Sequence, residues 1–368
     1  MKIAFLSHLD LNLYLFRLPI MVELLKRNYR VFAVCPKGEY FEKFKDFGVI
    51  AVDYEIERNS LNPFKELKTI CSIKNSINKI NADILHTFMH KPNIYGNLTG
   101  HKKRINTVTG LGSFFVHNNA KSKIVRKIIE FLYKMTTKDT KAIVFQNGDD
   151  YKYFIEKNIV SKDKAVVIRS SGIDTEMFNP APKPINLIKK FDLDLQKPII
   201  LMIARVIKDK GVLEYIEAAE ILKEKAQFVY VGDVDKGNKN AFLPDWKSVK
   251  WLGFQKNIKE IIAMSDIVTL PSYREGVPRT LLEAGSMGKP LVTTDVTGCR
   301  EVVKNNFNGF LVPARNPIEL AKAIEKLINN KQLREQFGKN SREYIKKNFD
   351  IKIVVSKYLE LYNFVLTS

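Results

Sequence analysis

The sequence predicts an α/β protein with two doubly wound domains, in each of which helices cover both faces of a parallel sheet. Short apolar, β-branched runs alternate with helix-like segments, and this alternation begins again after the proline-rich break at 180–184. The 368 residues also exceed what one hydrophobic core usually serves. We therefore expect a first domain at 1–182, a second at 183–350 and a final helix at 351–368.

Six segments of the first domain fit strands of such a sheet. They are Lys2–His8, Arg30–Cys35, Ile50–Ile56, Asp83–Phe88, Ile105–Thr109 and Ala142–Gln146. Six segments of the second domain repeat the pattern. They are Ile199–Ala204, Phe228–Val231, Val249–Leu252, Ile267–Pro271, Leu291–Thr294 and Gly309–Val312.

Ligands of open α/β sheets bind beyond the carboxyl ends of the strands, so two such domains that face each other predict a site in the cleft between them.

The charge of the chain indicates an acidic partner. Its 60 Lys and Arg residues exceed its 40 Asp and Glu residues, for a formal net charge of +20, and the excess is concentrated between Lys102 and Lys141. Nucleic acid, an anionic membrane and phosphorylated small molecules all fit this charge. The 45% of apolar residues suffices for sizeable cores, which excludes extensive disorder.

Neither a membrane span nor a disulfide framework is expected. The start of the chain, Met1–Ser7, fits a first strand better than a signal peptide, and the richest apolar run, Leu13–Leu25, is interrupted by charged residues and a proline. Cys35, Cys71 and Cys299 are far apart and outside any CxxC spacing, so we expect them to pack in the fold without binding zinc.

Three stretches of the second domain have the composition of a diphosphate pocket. In the first, a strand ends near Arg205, and a loop then brings Lys208 and Lys210 to a helix that begins at Val212. A guanidinium and an ammonium beside a helix N-terminus can neutralise a departing diphosphate. A solvated basic loop explains the same residues, so both interpretations stay open.

The second stretch runs from Ser272 to Ala284, with Pro278 as its expected first helical residue. Free N–H groups between Gly276 and Thr280 can then meet phosphate or sugar oxygens. Glu275, before the helix, can accept hydrogen bonds from sugar hydroxyls, and Glu283, inside it, can hold a ribose diol. The third stretch, Val292–Glu301, is a strand-to-helix turn that fits ligand contact and a plain connection equally well.

These residues carry a resemblance to glycosyltransferase family 4, retaining sugar transferases of the GT-B fold with two Rossmann-like domains. The matching elements of the second domain are Arg205, Lys210, Glu275–Glu283 and Gly298–Glu301. Those of the first domain are Leu15–Pro19, Asn59–Lys65, His86–Asn93 and Thr109–Ser113. The chain resembles a subgroup that acts on undecaprenyl-diphosphate-linked sugars in protein N-glycosylation.

The resemblance implies a UDP-sugar donor, expected to be UDP-N-acetylgalactosamine, and α-1,3 transfer to a diacetylbacillosamine linked to undecaprenyl diphosphate. It implies that Arg205 and Lys210 bind the donor diphosphate, Glu275 the sugar and Glu283 the ribose. His90 would contact the transferred sugar or shape the reacting face. The expected catalytic residues are His90, Arg205, Lys210 and Glu275, and the expected donor-binding residues are Arg205, Lys210, Glu275, Gly276, Val277, Pro278, Thr280 and Glu283.

The resemblance also extends to the acceptor side. The first loop, Ser7–Tyr14, lacks the glycine pair that many members of the family carry, so we expect it to face the acceptor instead of a donor phosphate. The expected acceptor-binding residues are His8, Asn12, Arg17, Thr109, Gly110, Gly112 and Ser113. The resemblance further implies that the final helix packs back on the first domain.

The segment Lys121–Lys138 has apolar residues at helical spacing and lysines on the opposite side. This pattern suits a helix that lies in an anionic bilayer surface, and a core-facing helix with a solvated outer face is the alternative. Because a polyprenyl-linked acceptor is held in a membrane, we predict peripheral docking at the cytoplasmic face of the bacterial inner membrane. The docking residues would be Lys123, Ile124, Lys127, Ile128, Phe131 and Lys134.

No metal and no other cofactor is expected. The family resemblance implies a same-face displacement in which the leaving diphosphate helps to deprotonate the acceptor hydroxyl. Asp233-Val-Asp235 has the Asp-x-Asp form that metal-dependent transferases use, but a polar loop is the interpretation we favour. The alternative functions are another family 4 transferase for lipopolysaccharide or capsule lipid-linked sugars, and a sugar-nucleotide epimerase of the same fold. A basic nucleic-acid-binding protein is a further alternative. Nucleic acid is not the expected partner, because no recognised nucleic-acid-binding motif accompanies the charge.

Overall fold

The computed structural model describes residues 1–57, 62–235, 237 and 240–367, which form two compact units. The first unit is Met1–Gly172 with Ile351–Ser368, and the second is Ile173–Asp350. The boundary comes before the proline-rich break that the sequence suggested, because Ile173 and Phe178 are buried in the core of the second unit. The part of the Asn59–Lys65 motif from 59 to 61 lies outside the described residues.

The described part of the first unit contains seven parallel strands. They are β1 (Lys2–Leu6), β2 (Arg30–Val34), β3 (Ile50–Val52), β4 (Ile84–Phe88), β5 (Arg104–Val108), β6 (Ala142–Phe145) and β7 (Ala165–Val167). Their order across the sheet is β3-β2-β1-β4-β5-β6-β7. Successive strands are therefore added on one side of β1 up to β3 and on its other side from β4 onwards. The sequence analysis missed β7, whose three residues are only partly buried.

Helices cover both faces of this sheet. The helices between residues 1 and 172 are α1 (Asp10–Lys26), α2 (Pro63–Ile80), α3 (His90–Leu98), α4 (Ala120–Thr136) and α5 (Gly148–Glu156). Leu13, Ile20 and Leu24 of α1 belong to one core, whereas side chains of α2 to α5 belong to another. Side-chain caps fix three helix starts: Asn62 accepts a hydrogen bond from the Phe64 N–H, Asn119 from the Ser122 N–H and Asn147 from the Asp150 N–H.

The second unit repeats the plan with six parallel strands in its described residues. They are β8 (Ile199–Ile203), β9 (Gln227–Val231), β10 (Val249–Trp251), β11 (Ile267–Leu270), β12 (Leu291–Thr294) and β13 (Gly309–Val312), in the order β10-β9-β8-β11-β12-β13. The helices are α6 (Ile185–Lys190), α7 (Val212–Leu222), α8 (Ile258–Met264), α9 (Arg279–Ser286), α10 (Cys299–Val302), α11 (Pro317–Ile328) and α12 (Lys331–Phe349). The strand order again reverses, here between β8 and β11.

The final helix, α13 (Ile351–Thr367), belongs to the first unit. Its buried face joins the same core as α1. His86 lies at the centre of this contact: its Nδ1 is 2.7 Å from the Tyr362 hydroxyl, and its Nε2 is 2.7 Å from Thr107 Oγ1. Burial lowers the pKa of His86, and the nearby Arg17 lowers it further, so the ring is neutral. The helix is thus fastened by polar as well as apolar contacts.

Candidate functional site

The carboxyl ends of β8 and β11 form the point at which the strand order of the second sheet reverses. Ligands of doubly wound sheets bind at such a point, because the connections on either side leave to opposite faces and open a crevice. Arg205 follows β8 directly, and the loop that contains Glu275 follows β11. The two strongest motifs of the sequence are therefore neighbours in space.

Backbone contacts bring the three predicted stretches together. The Glu275 N–H donates to the Thr297 carbonyl at 3.0 Å, which joins the second stretch to the third. Gly298 has a φ of +82°, and a side chain there would place its Cβ 2.5 Å from the Gly276 carbonyl oxygen. A side chain would not fit at Gly211 either, since a Cβ there would lie 2.1 Å from the Pro271 carbonyl oxygen. Glycine is required at both positions because the loops touch through their backbones.

A hydrogen-bonded triad occupies the centre of this crevice. Lys210 Nζ is 2.5 Å from Glu275 Oε1, and the Ser272 hydroxyl donates to the same oxygen at 2.6 Å. The Lys210 and Glu275 side chains are only 20% and 12% exposed, so their charges interact with little screening by water. Ser272 is fully buried. No role was predicted for Ser272 from the sequence, although a serine three residues before Glu275 can reach the glutamate's carboxylate.

Arg205 is more open than Lys210. Its side chain is 61% exposed, and its Nη1 lies 2.5 Å from Asp235 Oδ2. The Asp-x-Asp pattern suggested only a metal ligand or a loop residue at Asp235 and gave no sign of this pairing. Both cations that the sequence assigned to a diphosphate therefore contact a carboxylate.

The helix α9 begins at Arg279, one residue later than the sequence predicted, and the buried Pro278 precedes it. Gly276, Val277 and Thr280 are partly exposed beside it. Glu283 is 7% exposed and accepts a hydrogen bond from Arg279 Nε at 2.8 Å. Burial raises the pKa of Glu283, and the Arg279 charge opposes that shift.

His90 begins α3 at the corresponding edge of the first sheet. Its Nε2 is 3.1 Å from the Leu111 carbonyl oxygen and its Nδ1 is 3.1 Å from the Tyr133 hydroxyl. Because a carbonyl can only accept, Nε2 carries the proton and the tyrosine donates to Nδ1. Burial lowers the pKa of His90. Both ring nitrogens are thus engaged within the first unit.

The other predicted acceptor residues lie in different environments. His8 is partly exposed after β1, and Asn12 is almost buried, with its Oδ1 3.5 Å from the Ser7 hydroxyl. Arg17 is 1% exposed, and its guanidinium lies 4.5 Å from the centre of the Phe88 ring. The expectation that Arg17 contacts the acceptor is corrected by this placement, because the side chain is enclosed in the core beneath α13.

The segment from 109 to 113 follows β5 and is positioned by His90 through the Leu111 carbonyl. Thr109 and Gly110 are partly exposed, and Gly112 is exposed with a φ of +75°. The side chain of Ser113 lies outside what the structure describes. Thr109, Gly110 and Gly112 are therefore open to a ligand, in contrast to Arg17.

The predicted docking helix α4 has two apolar faces. Ile129 and Leu132 pack against the core of the first unit, as a core-facing helix would. A separate stripe on the outside is between 50% and 62% exposed and consists of Ile124, Ile128, Phe131 and Met135. Lys123, Lys127 and Lys134 are exposed beside this stripe. Across the described ranges, α4 included, no helix combines the length and apolarity that crossing a bilayer requires.

The described residues contain no group of three or more His, Cys, Asp or Glu side chains placed to hold a metal ion. Asp235, one of the two carboxylates of the Asp-x-Asp motif, instead contacts Arg205. A guanidinium at this distance repels a cation.

Comparison with known proteins is informative over the whole chain. Residues 2–147 match the family described as Glycosyl transferase 4-like, and residues 185–344 match Glycosyl transferases group 1. The chain is 36% identical over 377 aligned positions to the N,N'-diacetylbacillosaminyl-diphospho-undecaprenol alpha-1,3-N-acetylgalactosaminyltransferase of Campylobacter jejuni, with coverage of 100% of this chain and 99% of the relative.

Two further proteins have lower identity. The UDP-Gal:alpha-D-GlcNAc-diphosphoundecaprenol alpha-1,3-galactosyltransferase of Escherichia coli is 28% identical, over 89% of this chain and 87% of its own length. The crystal structure of a glycosyltransferase from Rickettsia africae is 23% identical, with a TM-score of 0.77 and coverage of 99% of this chain and 98% of that one. The structural likeness confirms the predicted α/β fold class with two parallel sheets.

Proposed function

This chain belongs to the glycosyltransferases of the group 1 and 4-like families, and we propose that it transfers N-acetylgalactosamine from UDP-N-acetylgalactosamine to an undecaprenyl-diphosphate-linked saccharide. Diacetylbacillosamine is the proposed acceptor sugar, and the new linkage is α-1,3. The C. jejuni relative supports the choice, since its name states this reaction and the alignment spans both chains.

The observation that carries the proposal is the pair of cations at the reversal point of the second sheet. Arg205 and Lys210 both lie beside β8 and flank one crevice. Transfer breaks the bond between the sugar's anomeric carbon and the β-phosphate oxygen, and negative charge develops on the diphosphate. Two fixed positive charges stabilise that charge more than they stabilise the intact donor, which lowers the barrier.

Retention of configuration follows if the acceptor hydroxyl attacks from the face that the diphosphate leaves. In that geometry the departing diphosphate oxygen accepts the proton of the acceptor hydroxyl, so no protein carboxylate is consumed in the step. Arg205 and Lys210 supply the charge that a divalent ion supplies in metal-dependent transferases. We therefore propose a retaining reaction that needs no metal.

Glu275 and Glu283 hold the two ends of the donor in this proposal. Glu275 is oriented by Lys210 and Ser272 through one oxygen, Oε1, so its Oε2 can accept a hydrogen bond from a sugar hydroxyl. Glu283, buried one turn into α9, is the proposed partner of the ribose diol. The N–H groups near the start of α9, at Gly276 and Val277, favour phosphate oxygens through the helix dipole.

His90 has a supporting role in the proposed reaction. Its hydrogen bond to the Leu111 carbonyl fixes the loop that carries Thr109, Gly110 and Gly112. Those three residues, with His8 and Asn12, are the proposed contacts of the acceptor. The imidazole acts by positioning this loop, because its own nitrogens already have partners.

The acceptor is held in a membrane by its polyprenyl chain, and α4 is the proposed docking element. Its exposed stripe of Ile124, Ile128, Phe131 and Met135 buries apolar area in the bilayer, and the adjacent lysines attract anionic lipid headgroups. Each lysine near such a surface contributes about 1 kcal/mol. We place the enzyme at the cytoplasmic face of the bacterial inner membrane on this basis.

A donor and acceptor panel tests the reaction. Purified enzyme is incubated with UDP-N-acetylgalactosamine, UDP-galactose, UDP-glucose or a GDP-sugar, with and without the undecaprenyl-diphosphate-linked acceptor. The proposal predicts transfer of N-acetylgalactosamine, undiminished by excess chelator, and a larger loss of kcat than of donor affinity in Glu275→Gln. Exclusive use of UDP-galactose would assign the activity of the E. coli relative instead. Conversion of the donor without any acceptor would indicate an epimerase.

A further inference from the structure

The loop that follows β9 is fastened to the loop that follows β8. The Val206 N–H donates to the Asp233 carbonyl at 2.9 Å, and Val206 also pairs with Val234 in a parallel bridge. Gly232 has a φ of +139°, and a Cβ there would lie 1.8 Å from the Ala204 carbonyl oxygen, so the backbones are in direct contact. These contacts fix the path of the β9 loop immediately before Asp235.

These backbone contacts place Asp235 beside Arg205. Their Oδ2 and Nη1 atoms are 2.5 Å apart, and the side chains are 27% and 61% exposed. Both charges are open enough to interact with a ligand. A diphosphate bound to Arg205 therefore approaches a fixed negative charge, and the two anions compete for the same guanidinium.

We propose that Asp235 is a counter-charge that competes with the diphosphate for Arg205 and thereby favours release of UDP after transfer. This inference rests on the proposed function, in which Arg205 binds the diphosphate. The competition weakens binding of the product UDP more than binding of the UDP-sugar donor. When the anomeric C–O bond breaks, its electron pair stays on the β-phosphate oxygen, which takes the proton of the acceptor hydroxyl. Once that proton passes to solvent, UDP carries more negative charge than the UDP-sugar.

A metal site is the competing interpretation of Asp233 and Asp235. Two observations favour the counter-charge. Asp235 already contacts a guanidinium, which repels a cation, whereas a metal site requires that carboxylate to face the ion. The described residues also contain no cluster of three or more candidate ligands. The two interpretations predict opposite effects of removing the Asp235 charge.

Calorimetric titration of UDP and of UDP-N-acetylgalactosamine into the full-length protein provides the test. Asp235→Asn removes the charge at almost constant shape, and Asp235→Ser is a second variant in case the amide makes contacts of its own. Asp233→Asn changes the neighbouring carboxylate. Asp192→Asn is the matched control for net charge, because the Asp192 side chain is fully exposed and only 3.6 Å from a lysine of the same unit.

Both Asp235 variants should bind UDP about tenfold more tightly, the effect expected when one like charge is removed at a half-exposed site. Their gain in affinity for the UDP-sugar should be smaller, and UDP should become a stronger product inhibitor. The two controls, Asp233→Asn and Asp192→Asn, should bind UDP with an affinity within about twofold of the wild type. Unchanged or weaker UDP binding by Asp235→Asn would overturn the inference and leave the proposed function standing. Binding that requires Mg²⁺ and is lost in both Asp233→Asn and Asp235→Asn would establish the metal site instead. A wild-type protein that bound no UDP would overturn the proposed function as well.

Discussion

Replacement of Lys210 by methionine separates catalysis from stability in the second unit. Lys210→Met keeps an unbranched side chain only one atom shorter but removes the charge that lies 2.5 Å from Glu275 Oε1. If the ammonium stabilises the leaving diphosphate, its loss lowers kcat by about 10²–10³-fold, as for removal of one donor from a site of developing charge. Glu275 would keep its hydrogen bond from Ser272 but lose its counter-ion.

The cost in stability follows from the burial of the pair. Breaking a fully buried ion pair destabilises a protein by about 3–5 kcal/mol, and breaking an exposed pair by less than about 1 kcal/mol. The Lys210 and Glu275 side chains are 20% and 12% exposed, between these limits. We therefore expect the free energy of unfolding of Lys210→Met to fall by roughly 1–3 kcal/mol.

Lys183→Met is the matched control. Lys183 Nζ is 2.6 Å from Asp266 in the same unit, but Asp266 precedes β11 and so lies at the opposite end of the sheet from the crevice. This variant should lose stability with little change in kcat. Steady-state kinetics and urea unfolding of both variants make the comparison. The reasoning is refuted if Lys210→Met retains kcat within about threefold of the wild type, or if Lys183→Met loses as much activity.

Further variants probe the remaining parts of the site. Glu283→Gln should weaken UDP-sugar binding about tenfold with little effect on kcat. Because burial raises the pKa of Glu283, the wild type should also lose stability relative to this variant as the pH rises above the ordinary pKa of 4.5. Unfolding experiments at several pH values measure this difference. Ser272→Ala should lower kcat up to about tenfold through misplacement of Glu275, and equal kinetics would exclude that role. His90→Ala should raise the KM for the acceptor while donor affinity in calorimetry stays constant. Replacing both Ile128 and Phe131 by Asp should abolish flotation with anionic liposomes; if flotation persists, α4 is not the docking helix.

The fold class could be read from the sequence because buried parallel strands leave a strong signal. Ile199–Ile203 is an unbroken apolar run that is fully buried, and such runs mark strands that are covered on both faces. Ala165–Val167 escaped notice because three partly buried residues resemble an ordinary loop. The order of strands across each sheet was not readable, since adjacency depends on contacts between distant segments.

The sequence indicates which residues lie near one another where a residue's position relative to a strand end determines its place. Lys210 and Glu275 follow β8 and β11, and those strands are neighbours, so the two side chains meet. The pairing of Arg205 with Asp235 depends on the register between two loops, which no local pattern encodes. Arg17 was misassigned because a charged side chain in a motif suggests a ligand, whereas the fold encloses it against Phe88.

The final helix makes the first unit discontinuous in sequence. It begins with Met1–Gly172, but its core is completed only by Ile351–Thr367, whose Tyr362 hydroxyl contacts the buried His86. A chimera with a related transferase that exchanged everything after residue 172 would therefore also replace α13, which completes the core of the first unit. Exchange of the second unit alone is an insertion of the 173–350 segment into the first unit, and it requires two compatible junctions instead of one.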